Sequence, residues 1–148
     1  MFSEQLREAM FVGPASESGT VRCGLCGHRC LIRDGHRGLC QVRENRGGVL
    51  RPLAYGRLVA VSPDPIEKKP LFHVLPGSFS LSIASLGCNL QCRWCQNHHL
   101  AAALRQGGAI RGQAVPPEAV VDAALSEGCA SISYTYSEPT IHYEHNRD

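Results

Sequence analysis

Eight cysteines carry the first chemical signal in the sequence, at positions 23, 26, 30, 40, 88, 92, 95 and 129. They fall into two groups with different spacing. The first is Cys23-x2-Cys26-x3-Cys30-x9-Cys40; the second is Cys88-x3-Cys92-x2-Cys95, and Cys129 stands alone. Three thiolates on one short loop do not close a tetrahedral zinc site, which takes four ligands. A cubane iron–sulfur cluster has four iron corners, so three cysteines leave one iron open to an exogenous ligand. Backbone amides of a curled loop can aim at the cluster sulfurs and raise its potential, whereas apolar burial lowers it. The four thiols of the first group are enough to close a zinc site or to hold a second cluster, and their spacing does not choose between the two. Cys23, Cys26, Cys30 and Cys40 are therefore expected to bind a second metal, zinc or iron–sulfur. His28 and His36 could replace one cysteine, but four thiols make that unnecessary.

Regular elements must hold these loops. Residues 79–86 alternate apolar and small polar side chains, the period of a strand, and Gly87 ends the run just before Cys88. A helix is expected over 116–127, with Pro116 and Pro117 in its first turn, Glu118 complementing its dipole and Gly128 at its stop. Residues 131–136 alternate again until Pro139. Strand, cysteine loop, helix and strand make a βαβ unit, hence two parallel strands. In parallel α/β architectures ligands bind on the loops after the carboxyl ends of strands. The 88–95 loop and Ser137-Glu138-Pro139 should then meet at one edge of the sheet.

Composition agrees with an ordinary soluble globular chain. Of 148 residues, 43% are apolar and 19% charged, too apolar for disorder. Fifteen Lys and Arg against thirteen Asp and Glu leave +2, no field for nucleic acid or an anionic membrane. No apolar run approaches the roughly 18 residues of a membrane span. Residues 1–8 carry acids and no apolar core, so no secretory signal is read there and the chain is expected to be cytoplasmic. In that reducing compartment clustered thiols point to metal rather than disulfides. Residues 51–77 hold Pro52, Pro63, Pro65, Pro70 and Pro76 and are expected to be an extended connection with little regular structure. The chain thus divides into a loop-rich, Cys-rich region with its Pro-rich connection, 1–77, and an α/β part, 78–148.

Cys88-Asn89-Leu90-Gln91-Cys92-Arg93-Trp94-Cys95 resembles the C-x3-C-x-Φ-C motif of radical S-adenosylmethionine (SAM) enzymes, with Trp94 as the aromatic. Two further stretches narrow the resemblance. Cys23-Gly24-Leu25-Cys26-Gly27-His28-Arg29-Cys30 and Asp64-Pro65-Ile66-Glu67-Lys68-Lys69-Pro70-Leu71-Phe72-His73 are similar to the AmmeMemoRadiSam-system members, relatives of pyruvate formate-lyase activating enzyme.

The resemblance implies a [4Fe–4S] cluster on Cys88, Cys92 and Cys95, with SAM chelating the fourth iron. Trp94 would lie against the adenine, largely through its backbone. The implied chemistry is reductive cleavage of SAM, using a low-potential electron donor, to a 5′-deoxyadenosyl radical that abstracts hydrogen from a substrate, a protein or a small molecule. Residues 134–140 stand where the superfamily places a Gly-Gly-Glu-type motif for the methionyl amino group, which assigns Ser137 and Glu138 to SAM. Here the sequence departs from the pattern, because Tyr136-Ser137 replaces the glycines. The implied fold is a partial (β/α)6 barrel, of which 78–148 would supply the first two strands; a truncated barrel, inactive alone, is the expectation.

Other residues receive plainer readings. His98-His99 are taken as polar residues at a helix start, and His142-x2-His145 with Glu144 as a solvated tail. Lys68-Lys69 reads as surface, and Cys129 as a small buried hydrophobe. Two rival classes stay open: a small metal-binding module for protein partners, and a two-cluster electron-transfer protein.

Overall fold

The computed structural model describes residues 7–15, 17–105 and 108–148. Most of the stretch read for an export signal, residues 1–6, lies outside them. The amino-terminal part is built from short antiparallel strands. β1 (Val12–Gly13), β2 (Thr20–Cys23) and β3 (Leu31–Arg33) form one sheet in that order. β4 (Arg43–Arg46) pairs with β5 (Val49–Pro52), Arg46 opposite Val49. That register leaves a two-residue turn, Gly47-Gly48, with both φ angles positive (61° and 84°). A hairpin this tight needs the left-handed region twice, which is why two glycines stand there. Ala9, Val21, Ile32 and Leu50 form the apolar core beneath these strands, with Cys23 among them.

The Pro-rich connection is more regular than expected. It carries β6 (Arg57–Leu58), β7 (Ala60–Pro65) and a 3-10 turn at Ile66–Lys68. β7 runs antiparallel to β8 (Phe79–Ala84) over six residue pairs, and β6 pairs with β9 (Gln113–Ala114). Pro63 and Pro65 do not forbid this. Two residues apart on a strand, their missing N–H groups fall on the same side, and β7 is an edge strand that offers that side to no partner. The connection therefore crosses from the 1–77 region into the sheet of the 78–148 part.

That second sheet has the order β10-β8-β7, with β10 at Ser131–Tyr134. β8 and β10 are parallel, Ser131 opposite Ser80 and Tyr134 opposite Ile83, as the strand–helix–strand order predicts. Between them the chain forms α1 (His98–Ala101) and α2 (Pro117–Ser126), the latter within the span expected for it. The alternation of β8 sorts its two faces. Leu81 and Ile83 pack with Leu58 and with Val120 and Ala124 of α2, and Cys129 lies partly buried at the margin of this cluster. Ser80 and Ser82 face the other way, fully buried and satisfied by Ser133 Oγ at 2.6 Å and Asp64 Oδ2 at 2.6 Å. A third cluster, of Val42, Ala54, Leu86, Leu104 and Ile141 with Cys40, joins the two parts of the chain. Among the described residues the sheets close into no barrel, and no helix is long and apolar enough to cross a membrane.

The carboxy-terminal turns overturn the reading of a solvated tail. A 3-10 turn (Pro139–His142) leads into α3 (Tyr143–Arg147), and Ile141, Glu144 and His145 are buried. Glu144 accepts from Arg43 and from Met10 N–H at 2.7 Å, and the His145 ring is 3.0 Å from the Val115 carbonyl. Burial, and then the neighbouring His145, push the His142 pKa down to about 3. A histidine held below its ordinary value of roughly 6.5 stays neutral in the fold while the unfolded chain takes up a proton. The stability it contributes is complete above that value and is lost as pH falls from there toward about 3. The slope of that loss is about 1.4 kcal/mol per pH unit. His142→Gln should therefore flatten the pH dependence of urea-unfolding stability across that window by about one proton; an unchanged slope contradicts the assignment.

Candidate metal and cofactor site

The in-register parallel pairing brings the carboxyl ends of β8 and β10 to one edge. Each is followed by a loop: after β8 the chain runs through Ser85, Leu86 and Gly87 into the three-cysteine loop, and after β10 through Thr135 into Tyr136, Ser137 and Glu138. The two loops are tied directly. Thr135 N–H donates to the Ile83 carbonyl at 3.0 Å, and Ser137 Oγ donates to the Ser85 carbonyl at 3.3 Å. Between them lies a cavity of ≈ 220 Å³. Cys88, Cys92 and Cys95 line it together with Tyr136, Ser137 and Glu138, while Leu90, His98, Ala101, Ala102 and Arg105 complete the wall.

Local chemistry sets the loop. Gly87 has φ of +95°, and a Cβ there would stand 2.6 Å from Val42 Cγ1 and 2.7 Å from the Cys40 carbonyl oxygen. Only glycine lets the backbone pass so close to the turn beneath it. Cys88, 6% exposed, follows immediately, and Leu90 N–H donates to its sulfur at 3.4 Å. An amide aimed at a ligand sulfur stabilises negative charge on it. Arg105 bonds the carbonyls of Cys88 and Leu90, clamping the same turn from outside. Cys92 is exposed and Cys95 half-buried; all three thiols are free.

The second loop accounts for the departure from the glycine pattern. Tyr136 has φ of +67°, the left-handed region where glycine is the usual residue. Its hydroxyl donates to Asp64 Oδ2 at 3.0 Å, and the Lys69 ammonium lies 5.3 Å from its ring centroid. Asp64 is 5% exposed and also accepts from Lys68 at 2.6 Å, Lys69 at 2.8 Å and Ser82. The two ammonium groups, then the Ser82 hydroxyl, hold its carboxyl well below the usual carboxylate range. Lys68-Lys69 is thus no idle surface pair: it neutralises the buried carboxylate that anchors Tyr136. Glu138 caps the following turn, its Oε1 accepting from Thr140 N–H at 3.2 Å and from the Thr140 hydroxyl. Its half-buried carboxylate has a second oxygen for a ligand.

Trp94 stands apart from this cavity. Its side chain is 86% exposed, so the ring does not form a wall of the site. His98 does, from the first residue of α1, where the sequence reading had it as an ordinary polar residue. Arg105 has no signal in the sequence, being a lone cation ten residues after the last motif cysteine.

The first cysteine group is also gathered. Cys23 N–H donates to the Cys30 carbonyl at 2.9 Å, closing a turn that carries Cys26, and Gln41 N–H to the Gly38 carbonyl at 2.9 Å, closing one that carries Cys40. Cys23, Cys26, Cys30 and Cys40 line one cavity of ≈ 10 Å³ with Arg43 and Asn89. Burial pushes the Cys40 thiol up to about 11. Among the described residues, no three His, Cys, Asp or Glu side chains converge as they do around a single bound ion. For the 88–95 loop that is compatible with a cubane, whose protein ligands bind different irons and so stand farther apart than ligands sharing one ion.

An uncharacterized protein of Methanocaldococcus jannaschii is 42% identical over 139 residues, covering 94% of this chain and 41% of that protein. The chain thus spans about two fifths of the length of this curated relative. No family model matches the chain, and no solved structure matches it.

Proposed function

We propose that this chain carries the cluster- and cofactor-binding part of a cytoplasmic radical SAM enzyme related to the AmmeMemoRadiSam-system members. One observation carries the reading: three free thiols on the loop after one strand share a ≈ 220 Å³ cavity with Glu138, on the loop after its parallel neighbour. Three thiols and an open side suit a [4Fe–4S] cluster with one exchangeable corner. The bound group, with a low-potential donor, supplies one-electron reductive cleavage of SAM.

The protein's own residues bind and orient. Cys88, Cys92 and Cys95 hold three corners, and the Leu90 amide tempers the charge on the Cys88 sulfur. Arg105 and Gly87 fix the curl of the loop. Glu138 offers a carboxylate oxygen to the ammonium of SAM in a charge-assisted hydrogen bond. Ser137 keeps that carboxylate in register with the cysteines through Ser85. With Trp94 turned outward, any contact of that residue with adenine runs through its backbone. The parallel β8–β10 pair joined through α2 supports the partial (β/α)6 barrel proposed for the whole protein, because such a barrel repeats strand–helix–strand units of this kind. Its substrate is a protein or a small molecule.

Glu138→Gln is the direct test. Glutamine keeps an acceptor for Thr140 and so keeps the cap, but loses the charge. A hydrogen bond to a charged group contributes about 1.5–3 kcal/mol, so SAM binding to the anaerobically reconstituted protein should weaken roughly 10- to 100-fold. Equal affinity in the two proteins at unchanged thermal stability would remove Glu138 from the site.

A further inference from the structure

We infer that Cys23, Cys26, Cys30 and Cys40 bind a single zinc ion, which braces the three-cysteine loop from below. The cavity they line, ≈ 10 Å³, is about the space of one water-sized sphere. So small a space suits one ion on four thiolates better than a cubane of four irons and four sulfides. The four thiols line this space without yet converging on one point, so binding turns them inward and releases their protons to solvent.

A second observation points the same way. A divalent ion on four thiolates leaves two negative charges that need compensation. Arg43 lines the same cavity at 1% exposure, and its Nε and Nη1 have no hydrogen-bond partner among the described residues. Its Nη2 is occupied by Glu144 and by the Met10 carbonyl at 3.0 Å. Buried guanidinium donors without acceptors are costly, and thiolate sulfurs gathered on a metal supply both acceptors and opposite charge.

The brace follows from what rests on this turn. The His28 ring nitrogen is 2.8 Å from the carbonyl of Asn89, the residue after Cys88. The Cys40 carbonyl lies directly under Gly87. An ion that fixes both turns therefore fixes the base of the cluster loop, whatever that loop binds.

The test keeps the two sites separate. In a chain with Cys88, Cys92 and Cys95 all replaced by alanine, metal analysis should find about one zinc, no labile sulfide and four thiols protected from alkylation. No bound metal, or iron with sulfide, overturns the proposal without touching the reading of the other cavity. Because Cys26→Ala alone could unfold the turn, a second variant is read as well. Arg43→Met/Glu144→Leu removes the buried charge pair together, and should bind zinc at least tenfold more weakly in competition with a chelator; undiminished affinity contradicts the role given to Arg43. Stripping zinc from the wild-type chain should speed amide exchange across residues 87–90, and unchanged exchange there overturns the brace.

Discussion

Cys92→Ala is expected to reduce the iron bound after anaerobic reconstitution from about four atoms per chain to near zero, with loss of the visible thiolate-to-iron absorption. Two protein thiolates are too few to retain a cubane whose fourth corner belongs to a weaker, exchangeable ligand. Cys92 is the most informative of the three positions because it is exposed, so its truncation leaves no cavity in the fold. Cys88→Ala should give the same loss, but Cys88 is buried beside the Gly87 crossing, and part of its effect is structural. Cys129→Ala is the control: half-buried at the margin of the α2 cluster, it should leave iron unchanged. Iron retained at full stoichiometry in Cys92→Ala would contradict the proposed cluster site on the 88–95 loop.

The largest effect on stability is expected at Arg43. Arg43 and Glu144 form an ion pair with both side chains 1% exposed, joining β4 to α3 across the chain. Removing one partner leaves an uncompensated buried charge, which costs about 3–5 kcal/mol. Against a total stability of roughly 5–15 kcal/mol, Arg43→Met should halve the margin or abolish folding. Arg43→Met/Glu144→Leu should recover most of the loss, because the desolvation cost of the pair disappears with its attraction. Urea titrations of the single and double variants measure this. A double variant no more stable than the single would show that the pair is not what holds the carboxy-terminal turns.

Where local pattern and tertiary structure agree, the sequence was readable. Period-two alternation in 79–86 and 131–136, with proline and glycine at the ends of the intervening helix, predicts β8, α2 and β10 and their parallel pairing. The meeting of the cysteine loop with Glu138 follows from that topology. Prolines misled at 63 and 65, because proline count says nothing of which edge of a strand is free. The tail misled for another reason. Glu144 and His145 look solvated, and the partner that buries Glu144 stands a hundred residues away at Arg43. Lys68 carried an unused local signal, since Asp64 lies four residues before it. The positive φ of Tyr136 was visible only as a break from a glycine pattern, and nothing nearby in sequence names Asp64 as its anchor.

The most direct measurement is the electron paramagnetic resonance spectrum of the reduced, anaerobically reconstituted chain before and after SAM is added. If an iron corner facing Glu138 is free to take the cofactor, the signal shifts in g-values and shape, and the shift weakens in Glu138→Gln. A spectrum that SAM leaves untouched, with iron present and reduced, contradicts the account and favours an electron-transfer role for the same three thiolates.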